Sequence, residues 1–113
     1  MQVRVIATIV IDGWHQWHNA PARQQFLAQP HRHQFVIRGE RACIGLDREI
    51  ECFDLADEMR ASLEVFREGG THMFHGKSCE MIAMHILKAV QLDRCEVLED
   101  GLQGASVDAS AAN

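Results

Sequence analysis

Apolar and polar residues alternate from Met1 to Asp12, with Val3, Val5, Ala7, Ile9 and Ile11 on one parity and Arg4, Thr8 and Asp12 on the other. Side chains two apart share a face of an extended chain, so this stretch predicts a half-buried strand. Gly13 to Pro30 loses the period, carries Trp14, Trp17, Pro21 and Pro30, and reads as irregular. Strand spacing returns over His31 to Cys43, with Gly39 as a candidate turn. Gly45-Leu46-Asp47-Arg48 is a turn signal, and Glu49 to Phe53 reads as a short third strand or as more loop.

The apolar spacing then lengthens to three and four. Leu55, Met59, Leu63 and Phe66 predict an amphipathic helix that Gly69-Gly70 ends. A second helix is expected from Ser78, a good N-cap, with Ile82, Ala83, Ile86, Leu87 and Val90 as its stripe. Arg94 to Leu98 and Gln103 to Val107 read as strands around Asp100-Gly101, a favoured hairpin dipeptide. The order ββααββ is met most simply by an α+β fold, a four-stranded antiparallel sheet with two helices on one face. We expect a single domain over residues 1–107 and a frayed, small-residue tail over 108–113.

Length and composition fit that reading. The chain has 113 residues, 47% of them hydrophobic and 24% charged, enough for one modest core. Its formal net charge of -5 and scattered arginines argue against nucleic acid as a partner. The longest apolar run, Ile6 to Ile11, is too short for a membrane span, and its β-branched residues beside Arg4 and Asp12 do not read as an export signal. A cytoplasmic location is therefore expected. Cys43, Cys52, Cys79 and Cys95 form no C-x-x-C pair, and reduced thiols are the simplest account.

Histidine changes the picture. His31 and His33 flank Arg32 at the start of the second strand and so share a face. His15 follows the first strand and could supply a third imidazole, with His18 as its rival. Strand parity with Ile9 and Ile11 favours His15. Three neutral imidazoles with an open fourth position are a ligand set for catalytic zinc.

Four separated segments carry a resemblance to a known family: Ile9-Val10-Ile11-Asp12-Gly13-Trp14-His15, His31-Arg32-His33 with its strand, Lys77-Ser78-Cys79-Glu80-Met81-Ile82-Ala83, and Val97-Leu98-Glu99-Asp100. A weaker fifth is Ile50-Glu51-Cys52-Phe53-Asp54-Leu55. In that order they resemble the 6-pyruvoyl-tetrahydropterin synthase and 6-carboxytetrahydropterin synthase family, of the tunnelling-fold (T-fold) superfamily. The resemblance implies a T-fold and a zinc-dependent lyase acting on dihydroneopterin triphosphate or a related pterin. It implies zinc on His15, His31 and His33, Glu99 binding the pterin ring, and His72 moving protons, with His75 as its competitor. Trimers closing into a barrel, and hexamers from two rings, would bring the metal of one chain to Glu99 of a neighbour. The apolar stripe of the first strand, richer than a solvated face needs, adds to the expectation of assembly.

The departures are specific. Leu27 stands where the family carries a catalytic cysteine, and Thr71 where it carries an aspartate beside the catalytic histidine. The central glycine of the H-G-H pattern is Arg32. They leave a second reading, a catalytically impaired T-fold protein that binds metal and a pterin or purine-like ligand.

Overall fold

Residues 1–109 are described by a computed structural model of the chain. The first alternating stretch forms β1 (Val3–His15), paired antiparallel along its whole length with β2 (His31–Cys43), from Val3 opposite Cys43 to His15 opposite His31. After β2 come α1 (Cys52–Ser62), β3 (Arg67–Glu68), β4 (Thr71–His75), α2 (Cys79–Val90), β5 (Arg94–Glu99) and β6 (Gln103–Asp108). The sheet is open and runs β3-β4-β1-β2-β5-β6. It is mixed, because β4 lies parallel to β1 while the other pairs are antiparallel.

The α+β class and the four long strands agree with the sequence pattern, but the four-strand count does not. The sheet has six strands. The two extra ones form a hairpin whose turn is Gly69-Gly70, with Gly69 at φ 67°. Gly-Gly is a hairpin dipeptide as well as a helix terminator, and the sequence reading used only the second meaning. The short strand expected at Glu49 to Phe53 is also corrected. Glu51 accepts hydrogen bonds from the Phe53 and Asp54 N–H groups, so the chain turns into α1 at Cys52. At α2 the expected cap is present, with the Ser78 hydroxyl accepting from Met81 N–H at 3.2 Å.

Both helices cover the face carrying Ile9, Ile11, Phe35, Ile37 and Val97, and Leu55, Met59, Leu63, Ile82 and Ile86 complete the core. Of the apolar parity of β1, Ala7, Ile9 and Ile11 are thus buried beneath the chain's own helices and Val3 and Val5 are half-buried, so the stripe is explained largely within one chain, which corrects that part of the sequence reading. The other parity faces outward, with Ile6 and Val10 exposed beside Arg4, Thr8 and Asp12. Glu40 on that face gathers Arg4, Arg38 and Arg94 within 3.2–3.7 Å.

Two glycines set close approaches near the far end of β1. A Cβ on Gly13 would lie 2.5 Å from a Phe74 ring carbon and 3.1 Å from one of Phe35, so only glycine lets those rings meet there. A Cβ on Gly104 would fall 1.9 Å from the Val97 carbonyl oxygen, so glycine lets β6 close onto β5. Of the tail expected from residue 108, Asp108 instead ends β6, and Ala109 N–H donates to Asp93 O at 2.8 Å. Residues 110–113 of that tail lie outside the described residues.

Candidate metal centre

Strand register assembles the site. His15 is directly opposite His31, and His33 is opposite Gly13 one step along the same face, so three imidazoles meet at the β1–β2 end. Their ring centroids are 4.6, 5.0 and 5.6 Å apart, and one ligand nitrogen from each lies within 4.8 Å of the others. Phe35 continues the face two residues on, edge-on to His15 at 5.2 Å and to His33 at 5.9 Å. On the other side of β2, Glu99 is the register partner of Phe35. His15, His31, His33 and Glu99 are therefore brought together within one chain. The neighbour-chain placement of Glu99 that the resemblance implied is corrected: its carboxylate is 3.0 Å from His33 Nε2 and 3.4 Å from His15 Nε2 of its own chain.

The protons on the three rings follow from their other partners. His15 Nδ1 is 3.0 Å from the Lys77 carbonyl, and His31 Nδ1 is 2.9 Å from the Gln29 carbonyl. His33 Nδ1 is 2.7 Å from an Asp100 carboxylate oxygen. A carbonyl only accepts. Asp100 is held below the usual carboxylate range by the Gln34 backbone N–H and then by His33, so it too accepts. Each Nδ1 is therefore an N–H donor, which leaves Nε2 as the nitrogen each ring can offer to a ligand. That is the orientation in which metal-ligating histidines are held by their outer partners.

His15 and His33 Nε2 are buried with no hydrogen-bond partner, the side-chain polar atoms of which this is true among the described residues. They face the Glu99 carboxylate at 3.4 and 3.0 Å. A proton on each nitrogen or a shared metal ion would satisfy them. A proton is the weaker answer at His15, whose pKa burial lowers, outweighing the Lys77 carbonyl and the Glu99 charge. A metal ion satisfies all three groups. His15, His31 and His33 form a group that could hold one.

Beside the cluster lies a cavity of about 540 Å³, with His15, His31, Trp17, Leu27, Cys79 and Glu99 among its lining residues. Leu27, where the resemblance leads us to expect a cysteine, is in this wall and brings no nucleophile. Cys79 brings a thiol that sequence alone did not connect to the site, its Sγ 3.5 Å from Glu99 Oε1. Burial first, and the Glu99 charge second, push that thiol up to about 12, so it is present as S–H. His18 stays outside the cluster, exposed, with Nδ1 near Gln16.

His72 is not brought to the cavity of its own chain. It lies on β4 opposite Gly13, its ring stacked at 6.3 Å on Phe74, and burial followed by the nearby Arg67 charge lowers its pKa. Its competitor His75 is exposed and bonded to Glu68. Sequence reasoning also missed Asp100 as the partner of His33. The one signal was its place next to Glu99 in the hairpin, where it takes a left-handed φ of 55°.

No protein-family model matches this chain, and no curated protein matches it. Among the described residues no helix is long and apolar enough to cross a membrane.

The two lowered histidines give the metal-free protein a defined pH response. In the unfolded chain an imidazole titrates near about pH 6.5. Above that value both states are neutral at His15 and His72, and their contribution to stability is present in full. Below it the unfolded chain takes up protons that the folded protein accepts only at lower pH, so folding is disfavoured. Denaturant midpoints of metal-free protein should therefore fall between about pH 7.5 and about pH 5.5, and less in His15→Gln. Equal slopes in the two proteins would remove His15 from the effect.

Proposed function

We propose that the protein is a zinc-dependent, pterin synthase-like lyase acting on dihydroneopterin triphosphate or a related pterin. The observation that carries it is the convergence of three imidazoles, each held by a bond from Nδ1–H, with ligand nitrogens within 4.8 Å of one another beside a carboxylate and an open cavity. The resemblance of the four sequence segments supplies the substrate class. Zinc held by His15, His31 and His33 would polarise a substrate oxygen and stabilise the negative charge that develops when a neighbouring proton leaves.

The chain's own residues do the rest. The Lys77 and Gln29 carbonyls and Asp100 hold the Nδ1–H of each imidazole and keep the rings aimed. Glu99, within reach of both His15 and His33, accepts hydrogen bonds from the bound ligand and can hold a proton released there. Trp17 and Leu27 give the cavity an apolar wall against which a flat ring can pack. His72 can take part in proton transfer only across a contact between chains. We include such a homo-oligomer, a trimer or hexamer, in the proposal; the open edges at β3 and β6 and the exposed Ile6 and Val10 are its support.

A second reading has its own observation. Leu27 lines the cavity, the Cys79 thiol there is held as S–H, and His72 lies outside it, so one chain places neither a thiolate nor His72 beside the three histidines. A protein that binds metal and a pterin or purine-like ligand without turning it over fits that pattern. Incubating zinc-loaded protein with dihydroneopterin triphosphate distinguishes the two. Triphosphate release together with a changed pterin is expected for the lyase, and both should vanish in Glu99→Ala. Tight binding without product supports the second reading, and neither binding nor product defeats both.

A further inference from the structure

The geometry points to Cys79 as a positioning residue whose thiol holds the Glu99 carboxylate against His15 and His33. The inference rests on the metal-centre reading and adds a residue which that reading does not use. Cys79 is the first residue of α2 and is 5% exposed. Its Sγ lies 3.5 Å from Glu99 Oε1, while Oε2 lies 3.0 Å from His33 Nε2. Among the described residues this is the side-chain hydrogen bond the carboxylate receives from a protein donor, and the facing His15 and His33 Nε2 atoms make none to it.

The same short segment acts on the cluster twice. Two residues before Cys79, the Lys77 carbonyl accepts from His15 Nδ1 and orients that ring. The Ser78 cap on Met81 N–H fixes the start of α2 between them. Lys77 to Cys79 thus ties helix, histidine and carboxylate into one geometry. A glutamate side chain has three rotatable bonds, and without a donor on Oε1 nothing in its own strand selects the conformation that faces the histidines. The S–H supplies that selection. It is not one of the three histidines grouped for a metal, and its hydrogen bond is to Glu99, through which its effect passes.

Two measurements test this. In metal-free protein, the S–H stretching band absent from Cys79→Ala identifies Cys79, and Glu99→Ala should move that band to higher frequency. An unmoved band overturns the pairing, whether or not the protein takes up zinc. In zinc titrations, Cys79→Ala is expected to weaken affinity roughly tenfold, as loss of an outer partner does, and Cys79→Ser, which keeps a donor, should recover most of it. Adding Cys79→Ala to Glu99→Ala should cost nothing further, because the two residues act as a unit. A full additional tenfold loss in that background would assign Cys79 to packing and overturn the positioning role. Wild-type protein that takes up no zinc would defeat the metal centre itself, a result distinct from either failure.

Discussion

Zinc at about one ion per chain is the expected result for the wild-type protein, and His31→Ala or His33→Ala should abolish it with the fold retained. Both residues are half-buried at the open end of β2, outside the buried core cluster, with their rings against each other. Removing either leaves two imidazoles and a coordination sphere that water must complete. The loss should exceed that from Asp100→Ala, which removes only the partner of His33 Nδ1 and is expected to weaken zinc by about 10–100-fold. Metal analysis after dialysis and far-ultraviolet circular dichroism read content and fold together. A doubly substituted protein that keeps a full equivalent of zinc would place the ion elsewhere.

The second large effect is structural and reaches the site from below. Phe35 is fully buried, packs on Phe74 with centroids 5.1 Å apart, and meets the His15 and His33 rings edge-on. Phe35→Ala should destabilise the protein by about 3–5 kcal/mol, the usual cost of deleting a core phenyl ring. Against a total of about 5–15 kcal/mol for a domain of this kind, that is a large share. Zinc affinity should fall as well, because the floor under two imidazoles is gone. Phe35→Leu should show a smaller change in both. Urea unfolding and zinc titration of the two variants check this, and zinc affinity unchanged in a measurably destabilised Phe35→Ala would separate the core from the site.

Much of this molecule is legible in the order of its residues. Alternation over Val3–Ile11 and Phe35–Ile37 sets strand and facing together, because side-chain direction in an extended chain follows from parity alone. The same rule put His31 and His33 on one face, and made His15 a better third member than His18. Ser78 and the spacing of Ile82, Ile86 and Val90 located α2 for equally local reasons: a side-chain cap and a 3.6-residue period.

What sequence could not supply depended on partners distant along the chain. Gly69-Gly70 is compatible with a helix stop or a hairpin, and pairing of β4 with β1 selected the hairpin. The apolar parity of β1 carries no record of what covers it, and the chain's own helices do so. Glu96, Glu99 and Asp100 are equivalent acids as a string. Pairing of β5 with β2 turned Glu99 toward the histidines, and the left-handed turn at Asp100 brought its carboxylate to His33. Cys79 was one thiol among four until α2 set it against Glu99. Periodicity therefore determined which face each group would occupy, a property of neighbours in the chain. Which groups meet on that face, and which nitrogens remain free for an ion, were decided by strand register and helix docking.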